Sequence, residues 1–304
     1  MNEQLNRPKG FGQILDVTFR LSRTRFKDFF LILLILLGPV YLIQALVQLA
    51  TGTSFFREVG EGNGWLEQMA AGFEASDPAF SSNIAADIGV MLVGLISLFL
   101  YPVAQAAILY GVDHVRKNEE FTFGTLIKKG FSRFWAIIGS SILYGIIVFG
   151  LIFGTILSVV LMSFVFFAID PVIGVILTII LSIGSAVFVG YFSTRWSFYF
   201  GSVVIDSNSP GLSRSWKLSQ GRTWVSMGLY LIFFLIISSI TFAIELSFAL
   251  LLGGSVLLGL IVSLATLFTT LIMSVGYAVM FLDLKSRHDA DDLKDLIDDY
   301  HVGQ

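Results

Sequence analysis

Apolar residues gather into six long stretches along the chain, at about 29–50, 86–112, 134–160, 172–194, 224–251 and 255–282. Each reaches the roughly 20 residues that a helix needs to cross the hydrocarbon of a bilayer. Between Phe134 and Ile205 only Asp170 and Arg195 are charged, so this run holds either two long spans or three tight ones. Asp170-Pro171 breaks it naturally into two, because the residue before proline disfavours the helical region. Gly253-Gly254-Ser255 predicts the turn between the last two spans. The first stretch follows a polar segment, residues 1–28, and is too long for the core of a secretory signal, so it is read as a retained span.

The polar intervals settle the orientation. Arg7, Lys9, Arg20, Arg23, Arg25 and Lys27 precede the first span, and Arg116, Lys117, Lys128, Lys129 and Arg133 lie between the second and third. Arg195, Arg214, Lys217 and Arg222 lie between the fourth and fifth, and Lys285, Arg287 and Lys294 follow the sixth. Of the 19 lysines and arginines, all but Arg57 therefore fall on one side of a six-span arrangement. The positive-inside rule places that side, and both termini, in the cytoplasm. Three spans in the middle would scatter the basic residues over both faces.

Three of these intervals resemble one another. Leu15, Phe123 and Leu212 correspond, and four residues on come Phe19, Ile127 and Trp216. Basic residues follow in register, Arg20, Lys128 and Lys217, then Arg25, Arg133 and Arg222. Each interval runs into an apolar hairpin. The predicted fold is therefore all-α and integral to the membrane: six transmembrane helices as three hairpins, each preceded by an amphipathic helix in the cytoplasmic interface. The pseudo-threefold repeats are about 8–112, 113–206 and 207–285. In the first amphipathic helix Leu15, Phe19, Ser22 and Phe26 share one face, and Arg20, Arg23 and Lys27 another. Ser209-Pro210 is expected to start the third, as a capping residue followed by a first-turn proline. Such helices either set topology only or form a collar that binds anionic headgroups or a membrane-protein partner, each basic residue adding about 1 kcal/mol near an anionic surface.

Composition sharpens this picture. Only 13% of the 304 residues are charged and 55% are hydrophobic, against roughly 25% charged in a soluble domain. The net charge of −3 gives no reason to expect a nucleic-acid partner. Without cysteine, neither a disulfide framework nor a thiolate nucleophile or metal site is possible. His114, His288 and His301 lack the close helical spacing of a zinc-protease motif, and neither a nucleophile elbow nor a phosphate-binding glycine loop occurs. The expectation is a non-enzymatic chain with no cofactor and no metal. Gly150 and Gly154, spaced as a small-residue pair, are expected to pack inside the chain.

Several stretches resemble a known family. They are Arg195-Trp196-Ser197-Phe198-Tyr199-Phe200 through Val203-Val204-Ile205-Asp206, and Arg214-Ser215-Trp216-Lys217-Leu218 through Gly221-Arg222-Thr223-Trp224. Pro8-Lys9-Gly10-Phe11-Gly12 through Leu15-Asp16, Tyr101-Pro102-Val103-Ala104-Gln105, and Val112-Asp113-His114-Val115-Arg116 complete the likeness. Together they resemble the bacterial membrane-domain family named for glycerophosphoryl diester phosphodiesterase, which includes stand-alone membrane proteins of Gram-positive bacteria. The resemblance covers about the first 285 residues. It implies a bacterial plasma membrane and, in the fused members, a phosphodiesterase domain for which this chain has no room after its last span.

Two polar groups inside the spans carry alternative readings. Glu245, eight residues before Gly253, either snorkels outward or hydrogen-bonds a neighbouring span, or else faces a cavity as a proton- or cation-responsive group. Arg195 is read as an interfacial anchor or as the partner of Asp206 or of a lipid phosphate. Arg20, Arg25, Lys128, Arg133, Arg195, Lys217 and Arg222 are thus the candidate headgroup-contacting residues, and Glu245 the intramembrane polar candidate. The external loop 51–85 is acidic, with Trp65, Met69 and Phe73 at helical spacing. The tail 286–304 is acidic, with Leu293, Leu296, Ile297 and Tyr300 on one face. The leading functional expectation is a lipid-interacting scaffold or accessory subunit of the plasma membrane. The alternatives are a transporter or exporter of a hydrophobic or amphiphilic substrate, and an immunity or stress protein that sequesters membrane-active peptides.

Overall fold

The computed structural model describes residues 7–56 and 84–302. Among the described residues every regular element is a helix. In chain order they are α1 (Phe11–Thr24), α2 (Phe26–Ala50), α3 (Ile84–Lys117), α4 (Phe123–Ser132), α5 (Phe134–Ile169), α6 (Pro171–Ser197), α7 (Tyr199–Val204), α8 (Leu212–Leu218), α9 (Thr223–Leu252) and α10 (Val256–Val302). Six helices are long and apolar enough to cross a bilayer: α2, α3, α5, α6 continued through α7, α9 and α10. An α-helix satisfies its own backbone in hydrocarbon, where water cannot. The external-loop residues Trp65, Met69 and Phe73 lie outside the described residues. So do the side chains of the tail beyond His288, although α10 continues as one helix to Val302.

Local sequence explains where the helices start and stop. Gln13 Oε1 accepts the Gly10 N–H at 2.9 Å, the reach-back half of a capping box at the start of α1. Thr122 and Thr125 make the reciprocal pair at the start of α4, with N–H to hydroxyl distances of 3.4 and 3.2 Å. α1 and α4 each end at an arginine that leaves helical geometry in nearly the same way: φ −110°, ψ 26° at Arg25 and φ −113°, ψ 18° at Arg133. Asp170 is extended (φ −160°, ψ 131°), and its carboxylate accepts the Val172 and Ile173 N–H groups at 2.8 and 2.9 Å, with Pro171 at the first helical position.

Two local expectations are corrected. α5 does not stop near residue 160 but runs to Ile169, because no breaker intervenes and Ser163 returns its hydroxyl to the Val159 carbonyl at 2.7 Å. α8 starts at Leu212 rather than at Ser209-Pro210. Ser209 bonds the Ser140 hydroxyl at 3.2 Å instead of capping, and the N-cap is Gly211 at φ +74°. The face of α1 that packs on protein is Ile14, Val17, Thr18, Leu21 and Ser22, while Phe19 and Phe26, from the face expected to meet lipid, are exposed. The aliphatic stripe at 3–4 spacing packs, and the rings are left outside.

The chain contacts divide into two compact units. One comprises 14–131 and 232–279. Its core is a stripe of α2 (Phe29, Ile32, Leu33, Leu36, Leu37, Val40) and the small-residue face of α3 (Val103, Ala104, Ala106, Ala107) with Ile108 and Leu109. The small side chains of α3 suit the close helix contacts that membrane interiors rely on, where lipid gives no hydrophobic drive for helices to associate. The α10 segment of this unit buries Leu267, Leu271, Ile272 and Val275.

The other unit comprises 1–13, 132–231 and 280–304. Hydroxyls knit the base of the α5–α6 hairpin to its neighbours. Tyr144 donates to the Ser193 carbonyl (3.2 Å), Tyr199 to Ser141 Oγ (3.0 Å), and Ser197 shares a bond with Tyr230 (3.0 Å). The Phe281 ring lies so close to Gly201 that a Cβ there would overlap it. Beyond its base the hairpin is open: none of α5's most apolar stretch and 6% of α6's is buried, against 33% for α2. Gly150 and Gly154, expected to pack internally, have nothing within 4 Å. An apolar groove of about 510 Å³ runs between α5 and α6, lined by Ile152, Thr155, Ile156, Val159, Ser182 and Ser185 among others.

Candidate functional site

Charge at the helix ends organises the polar part of each unit. In the unit containing α3, Asp113 is 3% exposed and is clasped by Arg116 Nη2 and Lys117 Nζ, both at 2.8 Å. His114 contacts the Tyr110 carbonyl through Nδ1 at 2.7 Å and Glu119 through Nε2 at 3.6 Å. Lys129 stands 4.6 Å over the Tyr110 ring and Arg25 stands 5.7 Å over Phe121.

In the other unit, Asp206 closes α7 and is met by Lys285 Nζ and, at 3.6 Å, by Arg214 Nε. Asp283, 1% exposed, accepts the Lys9 backbone N–H at 2.6 Å and Arg287 Nε at 3.0 Å. Arg287 and Arg222 both donate to the Lys9 carbonyl, at 2.8 and 3.5 Å. Burial, and then the Arg287 guanidinium, push the Arg222 pKa below its ordinary value, and Asp283 partly offsets this. An arginine starts so far above neutrality that such a displacement leaves it cationic at pH 7.

The seven basic residues predicted to meet headgroups divide accordingly. Arg20, Lys128 and Lys217 are exposed. Arg25 is also exposed and lies 3.5 Å from Asp28. Arg133 donates to the Val203 carbonyl at 2.8 Å, and Arg222 is held at Lys9 as described. Arg20, Lys128 and Lys217 occupy the matching register of the three similar intervals. Glu245 is exposed on α9, makes no ion pair with another described residue and does not line the α5–α6 groove. Among the described residues no group of three or more His, Asp or Glu side chains is placed to hold a metal ion.

Arg195 stands apart. Asp206 is engaged by Lys285 and Arg214, so the pairing expected for Arg195 does not form. Its guanidinium instead stacks 3.6 Å over the Trp216 ring and 6.0 Å from Tyr191, and Nη2 donates to the Trp216 carbonyl at 3.3 Å. The α8 helix is held there by Ser215 and Ser219, whose hydroxyls donate to the Arg195 carbonyl at 2.7 and 3.3 Å. Trp196 lies 5.6 Å from Trp216, and Tyr191 lies 5.4 Å from Trp224, which is 61% exposed. Arg195 Nε is buried without a hydrogen-bond partner.

The sequence reading missed the partners of Asp113, Asp206 and Asp283. Their signal is present: Val112-Asp113, Ile205-Asp206 and Leu282-Asp283 each put an acid directly behind an apolar run, with a basic residue a few positions on. No protein-family model matches the chain, and neither a curated protein nor a solved structure matches it significantly.

Proposed function

We propose that the chain is a non-enzymatic, multi-pass protein of a bacterial plasma membrane, with both termini cytoplasmic, that works as a lipid-interacting scaffold or accessory subunit. In this reading α1, α4 and α8 are equivalent interfacial helices, each leading into one of three hairpins and each holding an exposed cation in the headgroup layer. The resemblance to the stand-alone members of the glycerophosphodiesterase membrane-domain family belongs to the same proposal.

The observation that carries it is the placing of Arg20, Lys128 and Lys217: exposed, in register, and each on the lead-in to an apolar helix. The matching backbone breaks at Arg25 and Arg133 support the repeat. The exposed rings of Trp135 and Trp224 at the first turns of α5 and α9 suit an interfacial depth. Three cations near an anionic surface supply roughly 3 kcal/mol of attraction. The test is the triple variant Arg20→Gln, Lys128→Gln, Lys217→Gln, purified from membranes in mild detergent. Anionic lipid carried with it should fall several-fold; unchanged lipid with an intact fold would leave these residues a topological role only.

A further inference from the structure

We propose that Arg195, stacked on Trp216 beside Tyr191, is a discrete binding site for the phosphodiester of one anionic phospholipid. The inference deepens the lipid-interacting reading and rests on it.

The argument begins with charge. Arg195 is the one basic residue inside the apolar run from Phe134 to Ile205, and no described carboxylate pairs with it. The acid nearest in sequence, Asp206, is taken by Lys285 and Arg214. A guanidinium drawn out of water without a counter-charge is costly, and stacking on Trp216 offsets only part of that cost. One fork position, Nη2, is spent on the Trp216 carbonyl, while the buried Nε has no partner. The remaining donors present a planar fork, the geometry that matches phosphate oxygens.

Depth selects a lipid as the source of the anion. Arg195 lies 24 residues along α6 from Pro171, roughly 36 Å at 1.5 Å per residue. That exceeds the roughly 30 Å of hydrocarbon and puts the guanidinium at headgroup level. Tryptophan and tyrosine rings at this depth are typical of the interface. Above Arg195, on the same side of α6, stand Gly184, Val187, Phe188 and Tyr191, at eleven, eight, seven and four residues back. A Cβ on Gly184 would touch nothing within 4 Å, and Val187 and Phe188 are 42% and 48% exposed. An acyl chain hanging from a phosphate on Arg195 would lie along this open apolar stripe; a free phosphate would have no use for it.

The test is native mass spectrometry of the full chain in neutral detergent, with phosphatidylglycerol, phosphatidylcholine or inorganic phosphate added. The wild type should retain one phosphatidylglycerol through delipidation, and inorganic phosphate should not displace it. Arg195→Gln should weaken retention about tenfold or more. Arg195→Lys, which keeps the charge but loses the fork, should also weaken it and serves if Arg195→Gln does not fold. Wild-type retention by either variant, no retained lipid on the wild type, or full competition by inorganic phosphate would overturn the site. The triple collar variant keeps Arg195 and separates the two ideas. If it loses bound lipid while Arg195→Gln keeps it, the collar stands and the site falls; the opposite result keeps the site and removes the collar.

Discussion

Asp113, Asp206 and Asp283 show how position along a chain hides the partner of a charge. Each is met by cations, and for Asp206 and Asp283 part of the set comes from far along the sequence: Lys285 from 79 residues away, and the Lys9 N–H from 274. The same holds for the seven basic residues read from the sequence as one class. Arg133 and Arg222 end on the carbonyls of Val203 and Lys9, 70 and 213 residues distant, and no spacing rule reveals that. Removing one side of a buried pair leaves a charge uncompensated at about 3–5 kcal/mol. With Arg287 29% exposed, Asp283→Ala should fall at the low end, about 3 kcal/mol. Thermal denaturation in detergent should show it, and trypsin should cut faster after Lys9. The double change Asp283→Ala, Arg287→Ala should recover part of the loss. Glu245 makes the contrasting case. It is exposed on an apolar helix, so Glu245→Leu should hold or raise the melting temperature in lipid, by removing the cost of keeping a carboxylate there. A marked loss from Leu but not from Gln would show that the carboxyl accepts or donates a hydrogen bond that matters.

At the scale of elements, the long helices and the break at Asp170-Pro171 were legible because apolar length and proline act locally. What escaped reading depended on tertiary packing. The start of α8 moved to Gly211 because Ser209 is engaged by Ser140 and because the turn needs a left-handed residue. A Cβ at Gly211 would sit 2.6 Å from the Tyr199 carbonyl, while one at Gly254 would meet nothing within 4 Å. Gly211→Ala should therefore cost at least 1–2 kcal/mol from the left-handed backbone alone, and Gly254→Ala next to nothing; paired melting curves check the difference. The protein-packed face of α1 was not legible for a related reason. Two apolar stripes run along that helix, and periodicity alone cannot say which one meets protein. Gly150 and Gly154 likewise fit a packing motif by spacing yet face open space.

On the scale of the whole molecule, the proposed topology has a direct test. The chain contains no cysteine, so single cysteines can be introduced without background. Labels at 60, 170 and 254 should react from outside the cell, and those at 5, 120, 210 and 300 only after permeabilisation. Protection of position 210 reversed to outside labelling would overturn the two-span middle. The length of α5 carries a further consequence. From Ser141 to Ile169 it presents 29 residues, mostly apolar and beyond its buried base, or roughly 43 Å of helix. Even a tilt of about 40°, near the limit seen for membrane helices, brings this only to roughly 33 Å, still more than an average hydrocarbon core of about 30 Å. In the proposed membrane setting, tilt, a bend in the hairpin or local thickening of the bilayer would take up the excess, thickening at a cost of a fraction of a kcal/mol for each ångström. The protein then carries a preference for longer acyl chains: in mixed-thickness vesicles it should partition into the thicker phase, and its melting temperature should rise as lipid chains lengthen. Such a chain is expected to collect in the thicker patches of a membrane.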